Sequence, residues 1–300
     1  MWWRALTAAL IACAMGTACA VAGAQVAGQT LSLEEAQAYL LARVNADRGA
    51  HGLSPVAHDP LAARAAQRQG EDMAVHVYVA HWDRSGRLPW HRYSDEGGSD
   101  FVQENVYLEM KYRGREPSGP MALDAHPRFT PAELDAVQDT YMKGRPPNDG
   151  HRRNILSPYH THVGIGLARS RGPRSSVIAN AQVFVVRCGS FAPLPAETRV
   201  SSRIGVAGML QPPWRFEAVT YALAPPLTAR EPAELMQSGS YSLPRTHPVE
   251  AVRVVRQGAE FSAELPPEAT AAPGVLHVVV WASRAGGPAR PVSCRAVVVR

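Results

Sequence analysis

Apolar residues recur at helical spacing near the start of the chain. Leu33, Ala36, Leu40 and Val44, with Leu41 beside them, fall on one face at intervals of three or four. Ser32 and Glu35 open that run as an S-x-x-E capping box, in which each side chain satisfies a free backbone N–H, so the pattern predicts a helix from Ser32 to Gly49. A second helix is predicted behind Asp59 as N-cap and Pro60 in the first turn. Its stripe of Leu61, Ala65, Ala66 and Met73 is thin and rich in alanine, which predicts close packing. A third begins at the Thr130–Glu133 capping box, turns Leu134, Val137 and Tyr141 inward, and breaks at Arg145-Pro146-Pro147. His151–Leu156 reads as a short helical turn, and His162–Ala168 with Ser176–Arg187 as an antiparallel hairpin. Residues 74–103 are the least regular part.

Beyond a proline-punctuated linker at 192–195 the texture changes. Segments near 199–209, 213–222, 249–256, 259–264, 274–283 and 291–299 read as short strands between Pro/Gly turns, the pattern of a small β-sandwich. The run Val275–Ala282 is apolar at nearly every position, which predicts a central strand covered on both faces. The pattern thus divides the chain at 30–191, an α+β region, and 195–300, a β-rich region.

Composition narrows the class. With 46% hydrophobic and 19% charged residues the chain is globular and not disordered. The net charge of +5 comes without any Lys/Arg block, so nucleic acid is not an expected partner. Residues 1–24 place Arg4 before an apolar run from Ala5 to Ala14 and then small residues, the three-part pattern of a signal peptide. That run is too short to span a bilayer, so the expectation is a secreted, extracellular or periplasmic protein and not an integral membrane one. A lipid anchor at Cys19 is the alternative fate of the leader. Downstream of it only Cys188 and Cys294 remain. Two cysteines in an exported chain predict one disulfide, and two separately buried thiols are the competing reading.

Four patches carry candidate chemistry: residues 44–60 (with Asn45, Arg48, Gly52, Leu53 and Asp59), Val79–Asp83, Gln103–Glu109, and Gly150–Ala168. In this order they resemble the CAP superfamily (cysteine-rich secretory, antigen-five and pathogenesis-related proteins) in its bacterial SCP-like form. The most specific match is Gly150–Gly166, similar to the family's GHR-x-NIL…H-x-G-x-G stretch. The resemblance implies a CAP-type α-β-α sandwich, followed here by the sandwich-like all-β region. It also implies a cleft lined by two histidines and two acids. Carried over by motif, these are His81, Glu104 and His151; the second acid would stand at Gly144, three residues after Tyr141, and is missing. Asp149, two residues before His151, is the candidate to stand in for it.

Two imidazoles and a carboxylate can form three corners of a tetrahedral site, so Zn2+ held by His81, His151 and Glu104 is an expectation, with weak, pH-dependent binding in the absence of a fourth protein ligand. The resemblance implies a binding or interaction module, with a lipid, a sterol or a cell-surface ligand as partner. The alternative is an extracellular hydrolase, metal-assisted or serine-type, using His81, His151 and Glu104. No G-x-S-x-G elbow is present, and Ser157 is the one serine inside the matched motif beside His151, so no catalytic set can be assembled from sequence. Glu104 has a structural alternative, holding a loop through backbone N–H groups. Packing is the default for His160 and His162, core capping an equal alternative to groove lining for Trp82 and Trp90, and a solvated turn the simplest reading of Arg152-Arg153.

Overall fold

The structure, a computed structural model, describes residues 30–114, 119–250 and 253–300. The leader and Cys19 lie outside the described residues. Helix α1 (Leu33–Ala50) starts on the expected capping box, with Ser32 Oγ accepting from Glu35 N and the Glu35 carboxylate from Ser32 N. The short strand β1 (Ala57–His58) leads into α2 (Pro60–His76), whose cap Asp59 accepts the Ala62 N–H at 2.7 Å. The stretch read as irregular holds α3 (Pro89–Asp95) and the start of a long strand, β2 (Phe101–Tyr112). Then follow β3 (Ala122–Leu123), α4 (Pro131–Met142) on the Thr130–Glu133 box, α5 (Gly150–Ile155), and the hairpin β4 (His162–Gly172) and β5 (Ser175–Val186).

These elements make three layers. The sheet runs β1-β4-β5-β2, with β3 on β4. Along β5, Val177, Ala179, Ala181, Val183 and Val185 join the core under α2 and α3, while Ile178 and Phe184 join the core under α1, α4 and α5. This period of two is what a strand covered on both faces requires. In β4, Val163, Ile165 and Leu167 face α1 and α4, whereas Gly164 and Gly166 face α2. A Cβ on Gly164 would lie 2.0 Å from the Ala62 carbonyl carbon, and one on Gly166 2.2 Å from that of Ala66. The paired glycines and the alanine stripe of α2 are therefore one device for close helix-on-sheet approach.

The chain then enters a pair of sheets. In order come β6 (Gly189–Phe191), β7 (Glu197–Thr198), β8 (Gly205–Leu210), β9 (Trp214–Ala224), α6 (Pro232–Leu235), β10 (His247–Pro248), β11 (Val254–Gln257), β12 (Glu260–Glu264), β13 (Gly274–Arg284) and β14 (Arg290–Val299). One sheet runs β10-β9-β13-β14-β7 and the other β11-β12-β8-β6. The strand expected from 199 starts only at Gly205, because residues before it turn through Ser201 at φ 62°.

Strand β13 is central and covered on both faces, as its sequence predicts. Leu276, Val278 and Val280 enter the core between the two sheets, whereas Val279 and Trp281 join the core under α2 and α3. The same division corrects the disulfide expectation. Cys188 and Cys294 are free thiols. Cys188 belongs to the core between the sheets and Cys294 to the core under α2 and α3, so the sheet itself separates them. Burial pushes the Cys188 thiol up to about 12, so it is inert as a nucleophile.

A histidine pair closes this seam. His91 Nδ1 accepts the Leu88 N–H at 3.1 Å, which puts the ring proton on Nε2, 2.7 Å from His277 Nε2. Burial, then His277, Arg92 and Arg87, push His91 down to about 2, and burial pushes His277 down to about 4.

Gly166→Ala should cost about 3 kcal/mol in urea unfolding, since the methyl meets helix backbone rather than a movable side chain. The histidines give a signed pH dependence. Unfolded imidazoles titrate near about 6.5 and the folded pair well below, so the unfolded chain takes up protons first. Stability is full above that value and is lost as pH falls toward about 4. Thermal melts across this range should show a falling Tm, with a shallower slope for His91→Phe/His277→Phe.

Candidate functional site

Position 104 is set by local folding of three segments. Strand β2 is an edge strand, paired with β5 through Glu104 opposite Val183. Behind it α3 presents Arg92, and the loop after α2 brings His81. The Glu104 side chain is fully buried, with Oε1 2.6 Å from Arg92 Nη2 and Oε2 3.1 Å from His81 Nδ1. Arg92 also donates to the carbonyls of Arg87 at 2.8 Å and His81 at 3.1 Å, so one guanidinium fixes both the acid and the backbone of the histidine. Burial alone would lower the Arg92 pKa; Glu104 and Asp83 outweigh it and raise it. The bond to Glu104 leaves the proton of His81 on Nδ1 and directs Nε2 away from the carboxylate.

The free edge of β2 is capped on the main chain as well. Glu104 N donates to the Tyr241 hydroxyl at 2.8 Å, and Glu104 O accepts from Asn154 Nδ2 at 3.1 Å. Asn154 also donates to Asn105 Oδ1 at 2.9 Å, and Asn105 Nδ2 donates to the His151 carbonyl at 3.1 Å. The Asn of the Glu-Asn pair and the Asn of NIL thus clamp α5 onto β2. From below, Arg48 donates to the carbonyls of Ile155 at 2.7 Å and Ser157 at 2.9 Å, satisfying the end of the same short helix. These bonds account for the spacing of the motifs without reference to any ligand.

The structure brings His81 and His151 together, ring centroids 6.4 Å apart. His151 stands edge-on to Tyr141 at 4.9 Å, and burial first, then His81, push it down to about 4. Tyr141 thus takes the wall beside His151. An acid at 144 has no room, since a Cβ there would lie 2.9 Å from the Asn148 carbonyl oxygen. Asp149 does not replace it: the carboxylate stands 3.2 Å from Arg153 Nε, and the residue does not line the cavity.

Glu104, expected as a zinc ligand beside His81 and His151, has both carboxylate oxygens occupied, Oε1 by Arg92 and Oε2 by His81. The Arg92 guanidinium already supplies the positive charge the carboxylate needs, and among the described residues no three His, Cys, Asp or Glu side chains are grouped as ion ligands.

The cavity above these groups measures about 640 Å³. Its walls include His81, Trp90 and His151 from the first half and Tyr241 and Leu243 from the second. Of the aromatic residues singled out in sequence, Trp90 lines this cavity and Trp82 packs on the core beside it. Ser157 lines it as well. His160 is buried away from it, with Nδ1 2.8 Å from the Asn154 carbonyl and its ring stacked on Phe184. Sequence reasoning missed Arg92 and Tyr241. Arg92 lies in the stretch read as irregular, and Tyr241 carries no motif and comes from the far half of the chain.

The model of the CAP, or cysteine-rich secretory protein, family matches residues 41–188. Among solved structures, an extracellular protein containing an SCP domain from Bacillus anthracis str. Ames aligns at 17% identity over 52% of this chain, with a TM-score of 0.35. The chain spans 43% of that protein's length. An outer surface protein from Borrelia burgdorferi aligns at 14% identity over 53% of this chain and 98% of its own, with a TM-score of 0.38. No curated protein matches. Among the described residues no helix is long and apolar enough to cross a membrane.

Arg92→Met strands the buried Glu104 charge and should cost about 3–5 kcal/mol in urea unfolding. Adding Glu104→Gln to that variant should recover a large part of the loss, because the unpaired charge goes with it.

Proposed function

Residues 41–188 belong to the CAP, or cysteine-rich secretory protein, family, and from that premise we propose that the protein is an extracellular binding module whose ligand enters the cleft between His81 and His151. The export pattern of residues 1–24 supports the location. One observation carries the choice of binding over bond cleavage: Glu104, the acid in the cleft, lies between Arg92 and His81 with no exposed side-chain surface. A general base must reach the proton it removes, so a carboxylate held at 2.6 Å by a buried guanidinium can at most orient His81, and among the described residues no nucleophilic side chain is hydrogen-bonded to the His81 ring. His151, held neutral by burial, suits a hydrogen-bonding wall better than an acid at neutral pH. A cavity of about 640 Å³ gives the recognised groups of a ligand an enclosed space to enter. Its lining joins Trp90, Phe101 and Leu243 to His81, Asn148 and Ser157, which favours a ligand with both an apolar group and hydrogen-bonding groups over a sterol or an acyl chain.

Purified protein should leave casein and p-nitrophenyl esters intact, with or without added zinc. Turnover that disappears in His81→Ala/His151→Ala would overturn this reading in favour of the hydrolase.

A further inference from the structure

Between β9 and β10 the chain leaves the sandwich for residues 225–246 and lies across the first half of the molecule. Arg230 stacks on Trp82 at 5.4 Å and donates its N–H to the Arg84 carbonyl at 2.8 Å. Leu235, in α6, is fully buried in the core under α2 and α3. The chain then runs on without regular structure through Tyr241 and Leu243, both packed on that core, before rejoining β9 at His247. A loop this long inside a compact protein is uncommon unless it has a task.

Tyr241 sits in a box of rings. Its ring stands 4.5 Å from His81, 5.4 Å from Trp90 and 6.4 Å from Trp82. Its hydroxyl accepts the free Glu104 N–H of the sheet edge at 2.8 Å. Burial, then the Glu104 carboxylate, raise its pKa, so it stays a neutral phenol. Ser240, Ser242 and Leu243 line the cavity beside it. Yet among the described residues, those from Gly239 to Thr246 make no main-chain to main-chain hydrogen bond. The segment is anchored at α6 and at β10, and between those anchors it is held by side chains alone.

We propose that residues 238–243 are a built-in occupant of the cleft, and that the external ligand is an extended polypeptide presenting an aromatic side chain, which displaces this strap. The proposal rests on the binding-module reading and gives its ligand class. The box accepts a flat ring with a hydroxyl at its far end, the sheet edge supplies the donor that hydroxyl needs, and the neighbouring wall takes an aliphatic side chain two residues on. A polypeptide segment already satisfies all three. Because the strap is tethered, its effective concentration is on the order of millimolar, and an outside peptide must compete against it.

The probe is a fluorescein-labelled peptide of the strap sequence, Ser-Gly-Ser-Tyr-Ser-Leu-Pro-Arg, added to the full chain. Tyr241→Ala/Leu243→Ala, which empties the box, should bind it at least about tenfold tighter than wild type. A control peptide with Ala in place of Tyr should not bind. If the folded variant binds the peptide no better than wild type, this proposal is overturned while the binding-module reading stands, because the turnover assay tests that reading separately. Wild-type hydrogen exchange gives a readout that needs no variant. Amides of 239–246 should exchange at least about a hundredfold faster than those of β9 and β13. Exchange as slow as in those strands would overturn a displaceable strap.

Discussion

Every polar group of Glu104 is used, and each partner comes from a different part of the chain. Its two carboxylate oxygens bind Arg92 of α3 and His81 of the loop after α2. Its carbonyl binds Asn154 of α5, and its N–H binds Tyr241 of the strap. A buried carboxylate is tolerable only when paired and hydrogen-bonded, so this position demands the guanidinium behind it. The cost of disturbing any one partner falls on the others through the same residue. The cleft exists because these segments converge on one buried charge, and the arrangement fixes which groups remain free to meet a ligand.

The support beneath the cleft is a line of amides rather than apolar packing alone. Asn105 donates to Gln182 at 3.2 Å, Gln182 to Gln138 at 2.9 Å, and Gln138 to Asp47 at 2.6 Å, crossing from β2 through β5 and α4 to α1. A satisfied buried network of this kind specifies one arrangement of sheet and helices, where apolar contacts would allow sliding. On the opposite side, β13 serves two cores at once, and the His91–His277 contact places the second half of the chain against α3, the helix that carries Arg92. The second half therefore contributes to the site twice, through the seam behind Arg92 and through the strap that holds Tyr241.

Much of the scaffold was legible because local chemistry and tertiary packing agree. The boxes at Ser32–Glu35 and Thr130–Glu133 mark helix starts wherever they occur, and α1 and α4 begin there. The Gly164 and Gly166 pair is meaningful once α2 is seen to lie against it. Helix α3 was not legible: it has seven residues, too few for a periodicity, and its cap is Leu88, whose N–H is satisfied by His91 instead of by a polar cap. Strand β2 hides because Gln103, Glu104 and Asn105 interrupt any alternation, and those are the residues that build the site. His81 and His151 were found through their motifs. Arg92 and Tyr241 could be found only in three dimensions, because nothing in the residues around them announces a partner so distant in sequence. The second acid fails for a reason visible only there too, in the crowding of Gly144 against the backbone of 148–149.

The most direct test of a structurally committed Glu104 is the 15N spectrum of histidine-labelled protein at neutral pH. The account predicts that His81 carries a proton on Nδ1, held by Glu104, and that zinc moves neither His81 nor His151. A bare Nδ1 on His81, or a zinc-dependent shift shared by both rings, would contradict it.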